Sequence, residues 1–158
     1  MNRIRLLLIL SALLWLVPSG GHAAVAADIA IVANQDVPID NLTFAELRKI
    51  VLGDRQFWSS NLRVTLLIRA PGARERDVML KSVLQMSEAQ FRQYWIGKVF
   101  RAESASAPKA VVSNEILLSL VNDIPGSVGF VDASQVPKDW KVVRVGGLLP
   151  GEKGYPLN

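Results

Sequence analysis

Apolar residues along this chain fall alternately into short unbroken runs and into stripes of helical spacing. Asp28 to Ala33 reads as a short buried strand, and a polar turn containing Pro38 and Asn41 follows it. Thr43 and Glu46 have capping-box spacing, and Phe44, Leu47 and Val51 form one apolar face of a helix that Gly53 ends. A second strand covers Arg63 to Ile68. From about Ala73 to Met86 the spacing predicts a helix that buries Leu80, Val83 and Leu84. Ser87 with Gln90 starts another, whose Phe91, Tyr94, Trp95 and Val99 recur at helical spacing as a core-packing stripe. Ala102 to Pro108 is a loop of small residues. Ser113 caps a further helix with Ile116, Leu117, Leu120 and Val121 facing inward, closed by Pro125 and Gly126. Ser127 to Asp132 and Lys141 to Val145 complete the strands, and Tyr155 is the expected anchor of a Gly- and Pro-rich tail, Gly146 to Asn158. Strands separated by helices, with no internal repeat and no linker, predict one α/β domain with a mixed β-sheet flanked by helices.

The first residues stand apart. Arg3 and Arg5 precede an apolar or small run, Leu6 to Val17, then Pro18 to Gly21 and an Ala24-Val25-Ala26 cleavage signature. This is the pattern of a secretory signal peptide, residues 1–26, leaving 27–158 as the mature domain. The run is shorter than the roughly 20 apolar residues of a membrane span, so no membrane anchor is expected after cleavage. The sequence holds no cysteine, hence no disulfide and no lipid-attachment point, which favours a soluble protein of a Gram-negative periplasm.

Cleavage changes the charge and the available chemistry. Arg3 and Arg5 are two of 18 Lys and Arg residues, and all 14 Asp and Glu lie beyond them, so the net charge falls from +4 to +2. Acidic and basic residues interleave, and no nucleic-acid partner is expected. The only histidine, His22, is removed as well. Histidine-dependent catalysis and His- or Cys-ligated metals are thereby excluded, and no cofactor is implied. Glu75 and Asp77, two residues apart on a helix, project to different faces and make no carboxylate dyad, so no catalytic residue is assigned and the chain is not expected to be an enzyme.

One stretch raises a question of its own. In IRAPGARERD, Ile68 to Asp77, a strand turns into a helix with no Ser, Thr, Asp or Asn to accept the first N–H groups. Arg74 and Arg76 place positive charge at the positive end of the helix dipole, which an anion would offset. Glu75 and Asp77 offer a competing resolution, the latter by pairing with Lys81 one turn on.

Three stretches together resemble the substrate-binding proteins of bacterial phosphate ABC transporters. In LGDRQFW, Leu52, Gly53 and Trp58 match a helix ending in Leu-Gly with Trp five residues beyond the glycine; PGSVGFV, with Pro125, Gly126, Gly129 and Val131, is close to the family's PGAIGYV. The IRAPGARERD turn occupies the place of its phosphate loop, RxDGSGT. The resemblance implies a periplasmic-binding-protein-like lobe that recognises phosphate or a similar oxyanion through the Arg69 guanidinium and the backbone N–H groups of Gly72, Ala73 and Arg74. Ser104, Ser106 and Lys109, where the family has a glycine-rich segment near its cleft, are secondary candidates. Ala73 replaces the family's phosphate-binding serine, Arg74 a glycine and Glu75 a threonine, so two hydroxyl donors are absent and a carboxylate stands where phosphate oxygens approach.

Family members are two-lobed, and the matching segments all belong to one lobe. Arg69 and two backbone donors would supply about 4.5–9 kcal/mol in gross, against a cost on the order of 4 kcal/mol or more for lost freedom. Micromolar affinity needs about 8 kcal/mol net, so an open lobe is expected to bind at roughly millimolar. A second copy or another protein would be required to close the site. The expectation is therefore weak oxyanion binding, linked to phosphate transport; its rival is a degenerate lobe that acts as a periplasmic protein-interaction module without ligand.

Overall fold

Strand β1, Ile29–Ala33, is buried along its whole length because its alternate side chains enter two different cores. Ile29, Ile31 and Ala33 face one, Ala30 and Val32 the other, as the two-residue period of a strand requires. A computed structural model describes residues 26–158, and the expected signal peptide and His22 lie outside the described residues but for Ala26.

The elements follow as β2 (Asn41–Leu42), α1 (Phe44–Val51), β3 (Phe57–Ser59), β4 (Leu62–Arg63), β5 (Thr65–Arg69), α2 (Arg74–Val78), α3 (Glu88–Phe100), β6 (Lys109–Val111), α4 (Asn114–Asp123), β7 (Ser127–Asp132) and β8 (Val142–Val145). Six strands form a mixed sheet in the order β2-β8-β1-β7-β5-β6, and β3 and β4 form a small hairpin. β1 runs antiparallel to β7 and β8, whereas β5 is parallel to both β6 and β7. The fold is thus α/β with a mixed sheet flanked by helices.

Leu47, Ile50 and Val51 of α1, Met79 and Val83, and Phe91 and Trp95 of α3 cover one face with Ile31, Ile68 and Phe130. Leu117 and Val121 of α4 cover the other with Val32, Leu67 and Val131. Capping boxes at Thr43 with Glu46 and at Ser87 with Gln90 start α1 and α3, and Ser113 accepts from the Ile116 N–H to start α4. Trp58 and Trp95 pack in the larger core. Tyr155 anchors the tail: it is buried, and its hydroxyl donates to the Ile29 carbonyl at 2.8 Å.

Several expectations are corrected. The helix expected from Ala73 to Met86 is α-helical over Arg74–Val78 and then widens into a π-helical segment, Met79–Leu84, which ends with Gln85 in left-handed backbone. Phe44, Val99 and Ile116, expected inside, are exposed, since the faces turned to the core carry Leu47, Ile50 and Val51 in α1, Phe91, Trp95 and Lys98 in α3, and Asn114, Leu117 and Val121 in α4. The edge strands β2 and β6 and the β3-β4 hairpin were not expected from the pattern, each being two or three residues long. Lys98 of α3 is buried, with its ammonium on the Asp54 carboxylate and the Tyr94 hydroxyl. Burial works against that charge, but the two hydrogen bonds outweigh it and hold the lysine pKa above its ordinary value.

Candidate functional site

Arg69 ends β5, where the chain leaves the sheet through Ala70 and Pro71 and turns at Gly72, whose φ of +89° suits a residue without Cβ. The Ala73 N–H donates to the Ala70 carbonyl at 3.2 Å, and α2 then starts with Ala73 at its N-cap and no side-chain cap. Of the three backbone donors expected at this turn, the Ala73 N–H is thus engaged from within. The side chains arrange themselves differently.

Arg69 turns into the protein. Its Nη1 donates to Glu75 Oε1 at 3.0 Å and to Asn114 Oδ1, Nη2 donates to the Val112 carbonyl at 3.0 Å, and Nε to the Val111 carbonyl at 3.3 Å. Glu75 is held from a second side by Asn114 Nδ2, which also donates to Gln135 Oε1. Relative side-chain exposures are 13% for Arg69 and 8% for Glu75, so this is a buried, hydrogen-bonded ion pair rather than a surface contact. Val111, Val112 and Asn114 bring the β6-α4 junction against the β5-α2 turn, which fixes the guanidinium plane.

The other two arginines of the turn also find internal partners. Arg74 donates to the Ala27 carbonyl and stands 3.9 Å from Asp132. Arg76 makes a two-pronged pair with Glu88, both contacts 2.7 Å, donates to the Arg69 carbonyl at 2.9 Å, and lies over the Phe91 ring. That arginine bond holds the Glu88 carboxyl below its usual value. Charge in the first turn is therefore balanced by Glu75, Glu88 and Asp132. Asp77 is exposed and faces away from buried Glu75 as expected, but among the described residues its pairing with Lys81 does not form.

Ser104, Ser106 and Lys109 do not join this turn. Lys109 pairs with Leu67 and Val111 with Arg69 in the parallel β5-β6 ladder, so β6 starts toward the opposite end of β5 from the turn. There the three residues line a separate cleft of about 280 Å³ with Arg63, Thr65 and Trp95, and Ser104 donates to the Ser106 carbonyl. Asn114, which organises the Arg69 pair, is the residue that reading by pattern missed; its only sequence signal is an amide side chain directly after the Ser113 cap. Among the described residues no group of three His, Cys, Asp or Glu is placed to hold a metal ion, and no helix is long and apolar enough to cross a membrane.

No protein-family model matches the sequence. Solved structures do match its fold. One, from Clostridium perfringens, is described as a phosphate ABC transporter substrate-binding protein with bound phosphate; it is 18% identical with a TM-score of 0.62, over 77% of this chain and 46% of that one. An ABC-type phosphate transport receptor from Vibrio cholerae is 22% identical with a TM-score of 0.61, over 78% and 48%. A phosphate-binding protein from Stenotrophomonas maltophilia is 18% identical with a TM-score of 0.59, over 80% and 41%. The chain spans about half the length of these structures or less. Its fold is that of a single lobe of the phosphate ABC transporter substrate-binding proteins.

Proposed function

We propose that the chain is exported behind a signal peptide at residues 1–26 and that residues 27–158 work in the periplasm as a single phosphate-binding-protein-like domain whose ligand loop is closed from within, acting by contact with another protein. The observation that supports this reading is the engagement of Arg69 by Glu75, Asn114 and the carbonyls of Val111 and Val112. An oxyanion at the turn would meet a buried carboxylate and compete with a neutralised guanidinium. Freeing Arg69 would also leave Glu75 charged and buried without its counter-ion, which costs several kcal/mol. That cost removes the charge-assisted bond on which even weak binding depends.

A second reading is recognition of phosphate or a related oxyanion by the amides of Gly72, Ala73 and Arg74, in a transport-related role. The uncapped start of α2 favours it, as does the phosphate carried by a structure of the same fold. It needs a second copy or another protein to cover the turn, and Ala73 is already bonded to Ala70.

Amide NMR in inorganic phosphate separates the two. At about 50 mM phosphate, well above the roughly millimolar affinity of an open lobe, the first reading expects the Gly72, Ala73 and Arg74 signals to stay where they are in equal chloride. A saturable shift confined to those amides overturns it in favour of the second.

A further inference from the structure

The outward side of α3 is apolar where a solvated helix is ordinarily polar. Ile96, Val99 and Phe100 are 57%, 38% and 91% exposed, spaced at one helical turn, and with Ala105 and Ala107 of the following loop they line an open groove of about 650 Å³. A contiguous apolar groove of this kind is uncommon on a protein surface that has nothing to bind. Trp95 forms part of its wall, and its buried indole N–H has no hydrogen-bond partner among the described residues.

Trp95 and the Ala105–Ala107 loop are a wall that the groove shares with the 280 Å³ cleft at the start of β5 and β6, which carries Arg63 and Lys109. Both are exposed, and neither has an ion-pair partner among the described residues; Arg92, which also lines the apolar part, makes no direct ion pair among them but lies within electrostatic reach of Glu88. The nearby acid Glu103 is already paired with Arg101 through two contacts. An apolar groove thus lies beside a cleft whose Arg63 and Lys109 lack ion-pair partners among the described residues.

Resting on the interaction reading above, we propose that this apolar groove, with the basic cleft beside it, is the docking site for a protein segment that carries a bulky apolar anchor flanked by carboxylates. The anchor seats against Ile96, Val99 and Phe100, and the acids meet Arg63 and Lys109, with Arg92 as a further cation at the groove. A second copy of the chain would bring the same cations face to face. A flat anionic bilayer does not fill a concave trough, whereas a protruding side chain does.

The test is site-specific photo-crosslinking in the periplasm with the full chain, placing benzoyl-phenylalanine at Phe100, with Lys81 and Lys138 as exposed controls on other faces. The expected result is one protein adduct from position 100, in which the crosslinked peptide, read by mass spectrometry, joins apolar and acidic residues. A double variant, Arg63→Glu with Lys109→Glu, should lower its yield at least tenfold, and circular dichroism should report an unchanged fold. Adducts to a partner only at the control positions would overturn the groove and leave the interaction reading standing. Absence of protein adducts at every position would overturn both. An adduct to a second copy, an adduct insensitive to the charge reversal, or binding to phosphatidylglycerol vesicles without any protein adduct would each overturn the groove's assigned occupant.

Discussion

Glu75 Oε1 sits 3.0 Å from Arg69 Nη1, and Asn114 bridges the two residues by bonding to both. Such a pair is not in itself strong evidence of stability, since two desolvated charges offset much of their mutual attraction, but removing one partner is costly. Arg69→Ala should therefore destabilise the domain by about 3–5 kcal/mol, because it strands a buried carboxylate. The paired change Arg69→Met with Glu75→Leu should recover most of the loss, with Asn114 retaining Gln135. Urea midpoints at constant slope measure both. A double variant no more stable than Arg69→Ala would mean that the pair is not the reason for the loss.

Arg76 and Glu88 give the same turn a dependence on pH. The arginine bond lowers the Glu88 pKa from the ordinary 4.5, so the carboxylate contributes stability that is fully present above that value and lost as pH falls through the lower folded value. Glu88→Gln should cost about 1 kcal/mol at neutral pH, since the carboxylate is part-exposed. The gap to the parent should narrow on acidification below 4.5. Thermal unfolding of both proteins across that range reads it directly, and a gap independent of pH would assign the loss to packing.

How far pattern reading reaches follows from the range of the interactions involved. The caps at Thr43, Ser87 and Ser113 are legible because donor and acceptor lie three residues apart. Long strands such as β1 and β7 announce themselves by continuous apolar character. By contrast, β2 is two residues long and exists only because β8, some hundred positions on, pairs with it. Helix faces are legible to within a residue or so, which is enough to misplace Val99 and Ile116. At the candidate site the strand-to-helix turn and its uncapped start are visible in the local sequence. The fate of Arg69 is not, because it depends on Val111, Val112 and Asn114, more than forty positions away.

Two of the stretches that carry the family resemblance meet in space. Trp58, from LGDRQFW, donates its indole N–H to the carbonyl of Gly126, from PGSVGFV, at 2.8 Å. Gly126 has φ of +73°, and a Cβ there would lie 2.1 Å from the Arg63 carbonyl oxygen, a backbone atom that cannot swing aside. Gly126→Ala should cost about 2 kcal/mol or more and disturb the buried Trp58 hydrogen bond. Near-UV circular dichroism and the urea midpoint should change together. A variant within experimental error of the parent would show that the turn tolerates a side chain.

The tail's attachment can be separated from the rest by pH. Burial, helped by the charge of Asp28, raises the Tyr155 pKa above its ordinary 10.0, so the neutral hydroxyl on the Ile29 carbonyl stabilises the fold below that pH, and the contribution fades as pH rises above it. Tyr155→Phe should cost about 1 kcal/mol at pH 7, the usual net value of one hydrogen bond. Above pH 10.0 the order should close and then reverse, since phenylalanine has no proton to lose. The Leu157 carbonyl accepts from the Ile29 N–H at 2.7 Å whichever residue stands at 155, so the tail should remain docked in the variant. Denaturation curves at neutral and alkaline pH test the reversal, and amide exchange at Ile29 tests the docking. Stability of the variant running parallel to that of the parent at all pH values would place the alkaline transition elsewhere, with Tyr94 as the other tyrosine to examine.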